Sequence, residues 1–117
     1  MIKVVTLLFK KPELTTDAFR DYYETHHSKL GEKYLASHAI KYVRRYPILA
    51  GDGAEGPEFD VMMEVWFENY GAMEAAMGDM TTDAAQAELS ADEERLFDRD
   101  RTQSFIVDEY ESTLNPA

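Results

Sequence analysis

Two stretches of this chain, IKVVTLLFK at 2–10 and FDVMMEVWF at 59–67, carry apolar side chains at both odd and even positions. Successive residues of a β-strand face opposite sides of its sheet. A strand wetted on one side therefore alternates apolar with polar, whereas these two require cover on both sides. In the first, Val4 and Leu8 face one way and Val5, Leu7 and Phe9 the other. In the second, Phe59, Val61, Met63, Val65 and Phe67 share a side opposed to Asp60, Met62, Glu64 and Trp66.

The elements between these strands follow from local signals. Pro12 ends the first run, and Thr15 or Thr16 can cap a helix whose Phe19, Tyr22, Tyr23, His26, His27 and Leu30 recur at helical spacing. From Ile40 to Leu49 a strand pattern closes at Pro47 and the turn-rich GDGAEGPE. Asn69 can cap a helix through YGAMEAAMGDM, Thr82 precedes a second helical stretch DAAQAELSADEERLF, and QSFIVDEY at 103–110 reads as a last strand. The order is β-α-β-β-α-β with the second helix split, the ferredoxin-like α+β arrangement, which lays its helices on one face of a four-stranded antiparallel sheet. Its second face would be bare, against the demand of the doubly apolar strands. Two copies packed sheet to sheet remove that contradiction, so a homodimer is expected. The length of 117 residues suits a single domain over 1–117.

Acidic residues outnumber basic ones by 23 to 12, a formal charge of -11 that repels phosphate backbones and anionic lipid surfaces. Neither nucleic acid nor membrane is expected as a partner. The absence of Cys removes disulfides, thiolate metal sites and a cysteine nucleophile. The opening MIKVVTLLFKK has no small-residue cleavage site of the secretory kind, and no apolar stretch is long enough to span a bilayer. A cytoplasmic protein is the expectation.

The segment YYETHHSKL places His26 and His27 side by side in a helix that otherwise reads as core-facing. At about 100° per residue, His26 falls nearer the centre of the apolar stripe and His27 at its edge. Adjacent helical residues diverge too far to converge on one ion, whereas zinc helices place two histidines at i and i+4, so no metal is expected even with His38 nearby. Either imidazole can exchange a proton near neutral pH, or rest in the core on a hydrogen bond to a carbonyl or tyrosine.

The strand running into KKPELTTDAFRDYYETHHSKL, the stretch FDVMMEVWFENYGAMEAAM and the segment SADEERLFDRDRTQSFIVDEY together resemble the EthD family of dimeric α+β barrel proteins over nearly the whole chain. The most specific part is the apolar strand, "KP.L", then Phe-Arg, an aromatic pair and a His before a Leu. By that resemblance the family histidine falls on His27. Tyr23 stands where Trp is frequent, and Lys29 where Pro is frequent. The resemblance implies a sheet-to-sheet homodimer with a cavity in each subunit between helices and sheet. It also implies a kinship with small enzymes that need no cofactor and act on oxygenated aromatic or polyketide-like molecules.

On this reading His27 is the candidate general acid/base with His26 in support, and Tyr22, Tyr23, Tyr46, Phe9, Trp66 and Phe67 are candidates to line a substrate pocket. Tyr46, Asp60 and Glu64 are candidate polar partners of a histidine, and ADEERLFDRDR reads as a solvated helix face with local ion pairs. The expected activity is that of a cofactor-independent lyase or isomerase of the dehydratase, cyclase or decarboxylase type. A cofactorless monooxygenase of phenolic substrates, or a non-catalytic small-molecule-binding accessory protein of a catabolic pathway, are the alternatives.

Overall fold

The computed structural model describes residues 1–49 and 55–115. In chain order it contains β1 (Ile2–Leu8), α1 (Thr16–Tyr22), α2 (Ser28–Leu35), β2 (Ala39–Arg45), β3 (Val61–Phe67), α3 (Tyr70–Met80), α4 (Asp83–Leu96) and β4 (Gln103–Val107). A π-helical turn, Tyr23–His27, joins α1 to α2, and a short 3₁₀ turn, Arg99–Arg101, precedes β4. The strands form one antiparallel sheet in the order β2-β3-β1-β4, the ferredoxin-like α+β topology. Part of the expected GDGAEGPE turn, residues 51–54, lies outside the described residues.

Side-chain caps start the helices where the sequence places them. Thr15 Oγ1 accepts from the Ala18 amide at 3.1 Å, Asn69 Oδ1 from the Ala72 amide at 2.9 Å, and Thr82 Oγ1 from the Ala85 amide at 3.2 Å. Each satisfies an amide that the first helical turn leaves without a partner. Three strands are shorter than their apolar runs: β1 stops at Leu8, β2 at Arg45 ahead of Pro47, and β4 at Val107 rather than Tyr110.

The two doubly apolar strands β1 and β3 are the central pair of the sheet. Their helix-facing sides contribute to two core clusters. One joins Leu8 and Val61 to Phe19, Tyr23, Leu96 and Phe97; the other joins Val65 and Phe67 to Leu35, Met73 and Ala76. The opposite side carries Val5, Leu7, Met62 and Trp66, with Phe105 on β4 left 44% exposed. Glu64 lies on that side too, 5% exposed, because Lys3 and Arg45 clamp its carboxylate at 3.2 and 3.0 Å. Although burial opposes it, those two partners hold the Glu64 carboxyl below its ordinary pKa. Lys3 and Lys41 lie over the Trp66 ring at 4.6 and 4.9 Å.

The π turn settles which histidine faces inward. Phe19, Tyr23, His27, Gly31 and Leu35 recur every fourth residue. On an unbroken α-helix such a row drifts by about 40° per step, so it would wind off the sheet. A turn widened by one residue absorbs part of that drift. The Ser28 amide donates to the carbonyl of Tyr23, five residues back. The hydroxyls of Thr25 and Ser28 donate to the carbonyls of Asp21 and Glu24 at 2.7 and 2.8 Å, serving backbone acceptors around the widened turn. The outcome reverses the helical-wheel expectation: His27 is 8% exposed, whereas His26 is exposed and stacks on Tyr22 with ring centroids 4.7 Å apart.

Candidate active site

A cavity lies between the helices and the sheet, with His27 at its waist. Its inner chamber, about 230 Å³, is walled by side chains of the second core cluster and by Met77, Met80 and Leu89. Its outer recess, about 300 Å³, reaches Phe97, Arg99 and Thr102. Thr6, His27, Met63 and Glu93 border both.

The His27 imidazole is held on three sides. The rings of Tyr23 and Phe97 meet it edge-on at 5.0 and 5.1 Å. Its Nδ1 lies 2.8 Å from Oδ2 of Asp92, the two side chains being 10% and 11% exposed. A carboxylate only accepts, so Nδ1 carries a proton, and in the neutral ring this leaves the lone pair on Nε2. Among the described residues Nε2 has no hydrogen-bond partner, and His27 borders the cavity. The other oxygen of Asp92 accepts from the Tyr22 hydroxyl, and that bond, reinforced by burial, raises the Tyr22 pKa. Tyr22 thus remains a donor, and Asp92 has both oxygens engaged. The resulting chain Tyr22–Asp92–His27 fixes the orientation and tautomer of the ring and would stabilise an imidazolium when Nε2 takes up a proton.

Tyr42 supplies a further polar group on the chamber wall. Its hydroxyl end rests against Gly31, where a Cβ would come within 2.8 Å of the Tyr42 oxygen, so only glycine admits the tyrosine in this position. The Tyr42 hydroxyl makes a long 3.4 Å contact with that of Tyr23. Burial raises both phenol pKa values, Tyr23 the further, which keeps both groups protonated.

The residues expected from sequence to line a pocket are distributed as follows. Phe67 lines the inner chamber. Tyr22 and Tyr23 stand behind His27, the first on Asp92 and the second wholly buried in the core. Tyr46 donates to Glu24 at 2.7 Å and lies under Arg20; Arg44 also binds Glu24 and holds its carboxyl below the ordinary range, while burial raises Tyr46. Phe9 is buried beneath Arg101, and Trp66 lies on the far side of the sheet. None of the three candidate partners of a histidine reaches His27: Tyr46 serves Glu24, Asp60 accepts from the Lys10 amide at 2.8 Å, and Glu64 faces away. His38 pairs with Asp79 at 2.7 Å, and among the described residues no three acidic or histidine side chains converge to hold a metal ion.

Asp92, the partner of His27, lies inside the run ADEERLFDRDR, whose composition is that of a solvated face. Its signal was periodic: Ala85, Leu89, Asp92 and Leu96 fall at i, i+4, i+7 and i+11, the inward stripe of α4. The expected local ion pairs are present, with Arg99 beside Glu93 and Glu94 at 3.6 and 3.8 Å, whereas Leu96 and Phe97 of the same run are buried in the first core cluster.

The model of the EthD domain matches residues 11–100, a span that includes the π turn, both histidines and Asp92. The chain belongs to the EthD domain family. No curated protein matches it significantly. An ethyl tert-butyl ether D (EthD) family protein from Bacillus halodurans superposes with a TM-score of 0.65 at 21% identity, covering 94% of this chain and 100% of that one. A dimeric ferredoxin-like protein of unknown function from Thermobifida fusca gives 0.61 at 14% identity, covering 91% and 88%. An antibiotic biosynthesis monooxygenase gives 0.55 at 11%, covering 95% and 100%. At these identities the likeness shows a shared fold, and a shared fold does not fix the chemistry of the EthD chain. Among the described residues no helix is long and apolar enough to cross a membrane.

Proposed function

We propose that this EthD domain is a cofactor-independent acid/base enzyme of the lyase or isomerase type, acting on a small oxygenated aromatic or polyketide-like molecule, with His27 as the proton-transfer group. One observation carries the reading: a buried imidazole borders the cavity while its Nδ1 is engaged by Asp92, the arrangement that presents a basic Nε2 to a bound molecule. In the first step Nε2 takes a proton from a carbon next to a carbonyl or from a phenolic hydroxyl, and Asp92 offsets the charge gained by the ring. The Tyr42 hydroxyl, kept protonated by burial, suits the oxygen on which negative charge collects. His26, exposed on the outer side of the helix, has no part in this step.

Solvent exchange tests the proposal without a known product. A β-diketone or resorcinol incubated with the protein in deuterated water should gain deuterium at the activated carbon faster than in buffer, as Nε2 removes a proton and returns a deuteron. Absence of catalysed exchange across a panel of such compounds, with binding retained, would favour the accessory-protein reading. The fold shared with an antibiotic biosynthesis monooxygenase favours a second reading, oxygenation of a substrate carbanion. Oxygen uptake accompanying turnover would select it.

We further infer a homodimer closed through the sheet face that bears Val5, Leu7, Trp66 and Phe105, supported by the dimeric description of the Thermobifida fusca relative. The Lys3–Glu64–Arg45 clamp leaves the buried Glu64 carboxylate on that face fully paired. Sedimentation at micromolar concentration should give a dimer burying well over about 1,000 Å² in total. A stable monomer would refute the assembly.

A further inference from the structure

The polar and apolar parts of the cavity are segregated. Of its polar side chains, His27, Glu93, Thr6 and Arg99 gather at the waist and the outer recess, whereas the inner chamber has Tyr42 on one wall and is otherwise apolar, flanked by Met73, Met77 and Met80 of α3. Methionine is unbranched and flexible, so such a wall adapts to a chain of variable shape rather than to one rigid outline. Size sets the next limit: a dry cavity of about 150 Å³ accommodates benzene, and the chamber of about 230 Å³ adds room for a few carbons beyond one ring. Charge sets the last. Glu93 borders both compartments, and the cation at the mouth, Arg99, already stands between Glu93 and Glu94 at 3.6 and 3.8 Å. Asp92 lies directly behind His27, and the whole chain carries a formal charge of -11. A ligand carboxylate would enter a recess whose one bordering guanidinium is already matched by two acids.

We propose that the cavity binds a neutral phenol bearing a short, unbranched apolar tail, with the phenol oxygen at His27 and the tail among the methionines of α3, and that Glu93 discriminates against anionic analogues. The proposal deepens the acid/base reading and rests on the same cavity. Its binding prediction, however, is separable from proton transfer.

Calorimetry with phenol, 4-n-propylphenol and 4-n-propylbenzoate at neutral pH tests it. Each added methylene should tighten binding by about fourfold, and propylbenzoate should bind at least about tenfold more weakly than propylphenol, the cost of one unmatched charge in a partly wetted recess. Glu93→Gln should narrow that gap, and Met80→Ser should flatten the dependence on tail length while leaving phenol itself nearly unaffected. Binding of propylbenzoate as tightly as propylphenol, or affinity indifferent to the tail in the parent protein, would overturn the proposal. Tail-dependent binding retained in a His27→Ala protein whose deuterium exchange is unchanged would instead refute the acid/base reading and leave the ligand class standing. Lost tail dependence with intact, His27-dependent exchange would do the reverse.

Discussion

Replacing His27 by Ala is expected to lower turnover by on the order of 10²–10⁴-fold, the range supplied by a positioned general acid/base. Because the ring is buried between Tyr23 and Phe97 and bonded to Asp92, the same change should also lower stability. A buried carboxylate deprived of its paired cation or donor costs about 3–5 kcal/mol. Turnover must therefore be compared at a temperature where thermal unfolding shows both proteins folded. His27→Asn supplies a second arm, since its amide nitrogen stands where Nδ1 does and can still donate to Asp92 but cannot take up a proton. It should restore much of the lost stability and none of the lost rate. His26→Ala should change stability by less than about 0.5 kcal/mol, as for other exposed positions, and leave turnover near the parent value. Full activity in both His27 variants would remove the residue from the mechanism.

The second large effect is expected at Asp92. It is a positioning residue, acting through His27 rather than on the bound molecule. In Asp92→Asn the amide can donate to Nδ1, which favours the tautomer with its proton on Nε2 and so hides the base from the cavity; a rate loss of about 10²-fold is expected. The distinguishing readout is the split between constants: kcat should fall while KM, and calorimetric affinity for propylphenol, stay close to the parent values. A merely structural role would weaken binding in step with rate. Tyr22→Phe, which removes only the outer bond to Asp92, should have a much smaller effect, since the Nδ1 contact remains. A variant at Asp92 that keeps its full kcat would show that the imidazole needs no carboxylate behind it.

The architecture was legible because it rests on periodic signals that local chemistry does not disturb. Double-sided apolar strands identify β1 and β3 as central, and Thr15, Asn69 and Thr82 mark helix starts by short-range hydrogen bonds. The histidine facing inward was not legible from a helical wheel, since the wheel assumes a constant angle per residue and Tyr23–His27 departs from it. The family pattern pointed to His27 where geometry alone chose His26. Aromatic residues were the least legible of all, because their hydroxyls and faces are assigned by partners distant in sequence: Tyr22 by Asp92, Tyr46 by Glu24, Trp66 by two lysines on neighbouring strands. Asp92 was visible in principle, as a charge at an inward helical position. Its composition, amid acids and arginines, hid it.

The π turn between α1 and α2 has a consequence for how this helix tolerates changes in length. The row Phe19–Tyr23–His27–Gly31–Leu35 keeps contact with the sheet while the outer side, at Thr25 and His26, is exposed to solvent. The helix thus carries a surplus residue on its wet side, stored in the one turn that can hold it. Shortening the segment by that residue and closing it to a regular α-turn would bring the second histidine of the pair to the inward position that the wheel assigns to the first. The imidazole would again stand opposite Asp92. An insertion, absorbed as a bulge, leaves the chemistry of the inner side in phase; the adjacent histidines are then one functional group and one neighbour displaced by the bulge, rather than a pair.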